Sequence, residues 1–383
     1  MPVHDVRPLG MEDAGAWERV CRDSFGYAPS SDDAREQLTQ AGAFPWGLFD
    51  GGNLVATVTA LEFDSRWGGA DVRTVGISAA TVLPEYRGRG FFRPLLEAAL
   101  TEAENRGALV STLFPTARAV YRRMGFESVA RLDTLDVRTS DLSRSGVPGH
   151  QFRRGDLSEL GALYRAWAEP FNGPASMLPG QNPRVLRVDP RVHKVTMIEG
   201  VSGSVGGIAW RLPSGDGAAG VLEIADVVAT GADALDAVPA FLAGFAAIAS
   251  TVRLRGMTPA WQQMVLPDAE AEVAASSTYM LRVLTVKLFE ELRYPQGVVA
   301  DLCFRSGRSG WRLRIQDGTA ACLADDSSTA RAISALALAA IAAGAQTSGV
   351  LRARGLIVGG DPAEDVAWDR LFSGRPAAVN VNF

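Results

Sequence analysis

The residues best suited to chemistry stand in one short run: Val82, Leu83, Pro84, Glu85, Tyr86, Arg87, Gly88, Arg89, Gly90, Phe91 and Phe92. Strand-type residues lead into a turn with two glycines, and a helical pattern opens at its end. Such a junction aims the unpaired N–H groups of a helix's first turn, with its positive dipole end, at one spot that suits an anion. Gly88 and Gly90 let a pyrophosphate approach the backbone, and Arg87 and Arg89 add charge that a plain turn does not need. The run lacks the Gly-Lys-Ser/Thr ending of a P-loop and the GxGxxG spacing of a dinucleotide loop. Among phosphate loops this leaves the coenzyme A type. Tyr121 is the second candidate, because a phenol of pKa about 10 is a proton donor for a thiolate whose parent thiol lies near 8.5. Packing beneath a pantetheine arm is its simpler use, and one phenol can do both.

Periodicity supplies elements to hold these residues. The spacing predicts a helix over 14–25, strands over 46–49, 54–61 and 74–82, an amphipathic helix over 91–106 and a strand over 109–114. In the longer helix Leu95, Leu96, Ala99, Leu100 and Ala103 recur at three- and four-residue steps, and Gly107 stands where a left-handed stop is expected. From about residue 151 the opening rhythm repeats. The run Val6-Arg7-Pro8-Leu9-Gly10 before a helix with Trp17 is answered by Phe152-Arg153-Arg154-Gly155-Asp156 before one with Tyr164 and Trp167, and strands over 201–210 and 220–229 follow. This is a weak internal duplication. A last block opens with Val283, Thr285 and Lys287 in strand alternation, continues through 311–315, and carries an alanine-rich helix around 332–345, a second helix near 366–372 and an alternating tail of Val379, Val381 and Phe383.

Two motifs together carry a family resemblance. The loop over 82–92 resembles the pyrophosphate-binding motif of the GNAT superfamily of N-acetyltransferases, with Glu85 where that pattern often has Gln or Arg. Tyr121, four residues before Gly125-Phe126, resembles their other common signature. The layout of the whole chain resembles the enhanced intracellular survival (Eis) acetyltransferases of actinobacteria. That resemblance implies an α+β fold with tandem GNAT folds, each a mixed sheet flanked by helices, and a sterol-carrier-protein-like α+β domain at the carboxyl end. The boundaries expected are 1–145 for the catalytic domain, 146–281 for a degenerate copy and 282–383 for the last domain. The degenerate copy fits the residues, since Thr230-Gly231-Ala232-Asp233-Ala234 replaces the arginine–glycine run, and an aspartate without arginine repels a pyrophosphate.

The resemblance implies acetyl-CoA as co-substrate, held by Val82, Leu83, Arg87, Gly88, Arg89, Gly90, Phe91 and Phe92 with Thr116, and transfer of the acetyl group to an amine. A backbone N–H between Ser78 and Val82 is the expected oxyanion donor. The base is not evident from residue types, because His4, His150 and His193 fall outside both motifs. In the Eis family the chain's terminal carboxylate is thought to deprotonate the amine, which assigns that role to Phe383 with Asn382 beside it. Phe25, Tyr27, Asp32, Asp33 and Trp46 are candidates for an acceptor cleft, and an acidic cleft would draw aminoglycosides or polyamines. Cys21, Cys303 and Cys322 lie outside the loop, so direct attack in a ternary complex is expected over an acetyl-cysteine.

Composition narrows the field from the other side. With 383 residues, 47% of them hydrophobic, and a formal net charge of −5, the chain is globular, of more than one domain, and has no basic excess for nucleic acid or anionic membranes. Three scattered cysteines suggest neither disulfides nor a zinc site, and no metal is expected. With no apolar leader or membrane span in the sequence, a cytoplasmic enzyme is expected, and the resemblance implies a hexamer. The alternatives are a lipid carrier using the last domain, its tunnel walled by the alanine-rich helix, and an acyltransferase with a longer acyl-CoA.

Overall fold

The computed structural model describes residues 4–26, 35, 38–142, 151–176, 188, 192–213, 220–325, 331–379 and 383. The first half runs β1 (Asp5–Pro8), α1 (Ala14–Phe25), β2 (Ala43–Asp50), β3 (Asn53–Trp67), β4 (Ala70–Val82), α2 (Phe92–Asn105), β5 (Val110–Leu113), α3 (Arg118–Arg122) and β6 (Glu127–Arg138). Its hairpins are set by glycine pairs. Gly51-Gly52 joins β2 to β3 and Gly68-Gly69 joins β3 to β4, all four with positive φ, and two such residues make the turn whose twist matches paired strands. The apolar stripe of α2, Leu95, Leu96, Ala99, Leu100 and Ala103, is buried on the sheet face that presents Val75 and Ile77.

The second half repeats this order as β7 (Gln151–Gly155), α4 (Leu157–Ala168), β8 (Lys194–Gly200), β9 (Gly203–Arg211), β10 (Gly220–Ala229), α5 (Ala232–Ala243), β11 (Ala249–Met257), α6 (Pro259–Val265) and β12 (Glu272–Val283). In each half one strand pair is parallel, β4 with β5 and β10 with β11. The two halves share one 12-stranded sheet, ordered β1-β2-β3-β4-β5-β12-β6-β11-β10-β9-β8-β7. The final strands have changed places. β12 pairs with β5, as Leu281 with Thr112, while β6 pairs with β11, as Leu254 with Leu135. A domain edge at residue 281 therefore falls inside a strand that the first half depends on.

Beyond Val283 the chain turns, and Lys287 stands at the start of α7 (Leu288–Glu291), so the strand alternation expected for Thr285 and Lys287 is not formed. A five-stranded sheet follows, with β13 (Ala300–Ser306), β14 (Ser309–Gln316), β15 (Thr319–Ala324), β16 (Arg331–Ile333) and β17 (Ile357–Gly359), alongside α8 (Ala335–Ala342), α9 (Ser348–Ala353) and α10 (Asp365–Phe372). In the alanine-rich α8, Ala337 to Ala342 are all buried, in one core with Tyr279 and Leu281 of β12 and Phe63 of β3. Small side chains let this helix lie close against the large sheet, so it is a core helix joining the two sheets.

Asn172, 1% exposed, ties the three parts together. Its Oδ1 accepts from the Gly68 N–H at 2.8 Å, and its Nδ2 donates to the Ala343 carbonyl at 3.0 Å. Its backbone pairs with the chain end, accepting from Ala378 and donating to Pro376, each at 3.0 Å. The tail is thereby threaded between the halves, with Val379 buried against Gly173 and Trp67.

Candidate active site

An open cavity of about 770 Å³ lies where β4 meets α2. The predicted turn lines it. Gly88 and Gly90 have φ of 79° and 82°, a left-handed conformation that side chains other than glycine enter at a cost, and no side chain caps α2. The first-turn N–H groups of α2 are therefore free of a side-chain partner, apart from Pro94, which has none to offer. Arg87 and Arg89 are braced on their own loop: Arg87 Nε donates to the Val82 carbonyl and an Arg89 amine to the Glu85 carbonyl, both at 3.0 Å. Arg87 lines the cavity, whereas the Arg89 guanidinium lies over the Tyr86 ring at 4.8 Å, outside the lining.

Of the other expected contacts, Val82, Gly88, Gly90, Phe91, Phe92, Thr116 and Phe25 all line the cavity. Leu83 does not. Its side chain packs between the cores around Phe91 and Trp17, and its N–H donates to the Val55 carbonyl, so it anchors the loop from below. Trp46 lies elsewhere, beside Glu102, Ala103 and Arg106 at the other end of α2, which at about 1.5 Å per residue is roughly 20 Å from the turn. Tyr27, Asp32, Asp33, His150 and Asn382 fall outside the described residues. Two charged contacts were not foreseen. Arg93 and Arg123 also line the cavity, with an Arg93 amine donating to the Arg123 carbonyl at 3.0 Å. Their signal was available, since one stands in the first turn of the helix after the loop and the other two residues past Tyr121.

The strands part next to this cavity. β4 pairs with β5 only from Thr74 to Ile77, and with β3 it slips between Ser78 and Thr81, a bulge in which Ala79 has φ of 48°. Ala79 and Ala80 have no register partner on either neighbour, and Ala80 and Thr81 line the cavity. A strained bulge beside a ligand cavity frees backbone amides for an oxyanion, and it falls within the segment expected to supply one.

Tyr121, on α3, also lines the cavity, edge-on to Phe92 with ring centroids 5.6 Å apart. Burial pushes its phenol up to about 12, so it stays protonated across the neutral range and is a hydrogen-bond donor there. Phe383 approaches from the other sheet face. Its ring meets Phe114 at 5.5 Å and Phe63 at 5.8 Å and covers Gly76, where an added Cβ would lie 2.7 Å from the nearest ring atom. Phe63, Gly76 and Phe114 all project from the face opposite α2, as register requires.

In the second half the corresponding junction differs. β10 reaches α5 through Thr230 and Gly231 alone, Gly231 is extended rather than left-handed, and Asp233 stands in the first turn. Cys21 is buried beside Trp17, and Cys303 and Cys322 lie in the five-stranded sheet, so no cysteine reaches the cavity. No cluster of three or more metal-ligating side chains occurs among the described residues, and no helix there is long and apolar enough to cross a membrane.

Comparison with known proteins agrees with this geometry. Residues 5–129 match the family model described as an acetyltransferase (GNAT) domain. An uncharacterized N-acetyltransferase from Streptomyces avermitilis is 29% identical over 157 residues, 40% of this chain and 37% of that protein. One from Streptomyces griseus is 30% identical over 152 residues, 38% of this chain and 36% of the relative. The chain thus aligns with little more than a third of the length of these curated relatives. The fold is shared from end to end with GCN5-related N-acetyltransferases from Kribbella flavida (TM-score 0.82, 23% identity, 99% of both chains) and Anabaena variabilis (0.87, 18%, 100% of both). It is also that of Eis1 from Mycobacterium abscessus (0.77, 18%, 100% of both). Residues 5–129 thus match an acetyltransferase (GNAT) domain, within an α+β fold that these solved structures share.

Proposed function

We propose that the protein is an acetyl-CoA-dependent N-acetyltransferase that acetylates an amine of a small or medium-sized acceptor by direct attack in a ternary complex. The observation that carries this reading is the cavity of about 770 Å³ lined both by the uncapped, glycine-containing start of α2 and by Tyr121. The diphosphate of the cofactor lies at Gly88, Gly90 and the first turn of α2, with Arg87, Arg93 and Arg123 meeting its charge. The pantetheine arm runs along Ala80 to Val82 into the gap between β4 and β5. There a bulge amide stabilises the oxyanion, and the Tyr121 phenol donates to the departing thiolate. The amine arrives from the opposite face, and the Phe383 carboxylate takes its proton. The packing of the Phe383 ring on Gly76 and Phe114 supports that role. No cysteine in the cavity supports a covalent route. The acceptor classes in view are aminoglycosides, polyamines and other amine-bearing antibiotics or metabolites, in the cytoplasm, with a hexamer as the assembly that the family resemblance implies.

Calorimetry with coenzyme A and thiol release from acetyl-CoA on adding amines test this reading. Binding, turnover of at least one amine, and loss of turnover when one residue is added after Phe383 are the expected results. No heat with coenzyme A overturns the transferase; full turnover by the extended chain overturns the role of the Phe383 carboxylate. A lipid-carrier role finds less support, because α8 is packed into the core and the cavity it borders is only about 190 Å³.

A further inference from the structure

The helix that carries Tyr121, α3, has only five residues, and so short a helix does not hold itself in water, so its orientation is set by what grips it from outside. The grip lies at its carboxyl end. The Tyr121 carbonyl accepts from the Met124 and Phe126 N–H groups at 2.9 and 3.1 Å, which fastens the tyrosine to the turn that follows it. Gly125 makes that turn with φ of 86°. The Met124 carbonyl, on the same turn, accepts from Arg282 Nη1 of β12 at 2.9 Å. The same guanidinium is forked on Glu97 of α2, with Nη1 3.1 Å from one carboxylate oxygen and Nη2 3.2 Å from the other.

Arg282 is delivered by the exchanged strand. It stands opposite Ser111 of β5, and Met280, two residues earlier on the same face, is buried in one core with Tyr121, Met124 and Phe126. Its stem packs against the turn: a Cβ on Gly125 would lie 3.6 Å from Arg282 Cδ and 3.2 Å from the Cβ of Ala335, at the start of α8. One side chain from the second half therefore joins α2, which begins at the glycine turn, to α3, which carries the phenol. Neither Arg282 nor Glu97 lines the cavity. An ion pair whose carboxylate is 39% exposed adds little to stability, so what the pair chiefly supplies is a fixed distance between two elements. A guanidinium suits that use, because its planar fork serves a carboxylate and a carbonyl at once, which the point charge of a lysine does not.

We infer that Arg282 is a positioning residue for acetyl transfer: braced on Glu97, it holds the 121–126 turn so that the Tyr121 phenol meets the thioester sulfur of a cofactor seated on α2. Arg282 acts through Tyr121 and touches neither substrate nor cofactor. This rests on the transferase reading above, with Tyr121 as its proton donor.

The test is steady-state kinetics with one amine that the native enzyme acetylates, using Arg282→Gln and Glu97→Gln, each in the native and the Tyr121→Phe background. Coenzyme A calorimetry and thermal denaturation accompany it. Arg282→Gln is expected to lower kcat about 10- to 100-fold, with the coenzyme A dissociation constant changed less than about twofold. Glu97→Gln loosens the brace and lowers kcat about three- to fivefold; should Arg282→Gln melt below the assay temperature, it carries the test alone. In Tyr121→Phe, where no proton donor is left to misplace, both substitutions change kcat less than about twofold, whereas a purely structural role lowers it by the same factor in both backgrounds. Unchanged kcat, an equal loss with and without the phenol, or a loss confined to coenzyme A affinity overturns the role of Arg282. Native kcat in Tyr121→Phe overturns the phenol as donor and this inference with it. Failure of coenzyme A to bind in calorimetry instead overturns the transferase reading itself, so the failures are told apart.

Discussion

Gly76 offers the sharpest perturbation. A Cβ built there lies 2.7, 2.9 and 3.0 Å from three ring atoms of Phe383, whereas carbon atoms rest at about 3.5 Å or more. In Gly76→Ala the ring must retreat by about 0.8 Å, and the prediction is that the Phe383 carboxylate shifts with it. The backbone needs no change, since Gly76 is in regular register with Leu61 and Thr112, and what meets the Cβ is the outer edge of a side-chain ring. The fold therefore loses less than about 1 kcal/mol, whereas a displacement near 1 Å at a catalytic group costs up to about 100-fold in rate. The expected outcome is kcat reduced about 10- to 100-fold, with the coenzyme A dissociation constant and melting temperature nearly unchanged. Thiol-release kinetics, calorimetry and thermal denaturation read the three quantities. Full kcat in the variant refutes the assignment of proton transfer to the Phe383 carboxylate; kcat and cofactor affinity falling together show that Gly76 serves the cofactor cavity instead.

Three more outcomes follow from the geometry. In Gly90→Ala the added Cβ meets nothing within 4 Å, so the penalty is the backbone's alone, about 1 kcal/mol at φ 82°, and calorimetry is expected to show coenzyme A bound about five- to tenfold more weakly. Asn172→Ala strands the Gly68 N–H and the Ala343 carbonyl, lowers stability by about 2–4 kcal/mol, and speeds hydrogen exchange at the Ala378 amide; unchanged exchange refutes its hold on the tail. Tyr121, Tyr279 and Tyr294 all have phenols raised by burial, Tyr121 to about 12, so their contribution is intact below the unfolded pKa of about 10 and is lost as pH rises through the folded values. Above pH 10 the three together remove about 4 kcal/mol per pH unit, which denaturation midpoints at about pH 9.5 and 11 measure.

The glycine loop and the helix that follows it were legible because their physics is local. A glycine turn, its arginines and the first turn of the next helix lie within a dozen residues, and the stripe of α2 follows from spacing alone. The repeat was visible for the same reason: β10 occupies 220–229 as read, and its short junction to α5 is plain in Thr230 and Asp233. Periodicity tells which face a strand buries but not which strand lies beside it, so the exchange of β6 and β12 left no trace in either segment. Trp46 shows the same limit. Alternation placed it in a strand correctly, but only the crossing of α2 over the sheet decides which end of the helix it meets.

The exchanged strands make the acetyltransferase half inseparable from its neighbour. Both partners of β6 come after residue 248, and β5 gains its outer partner only when residues 280–283 are in place. A fragment excised at residue 145 would carry an orphaned last strand and a raw sheet edge beside its own reaction centre. During synthesis, too, neither sheet partner of β6 and no second partner for β5 exists until most of the second half has left the ribosome, so the sheet beside the 82–92 loop is completed by a segment encoded far downstream of it.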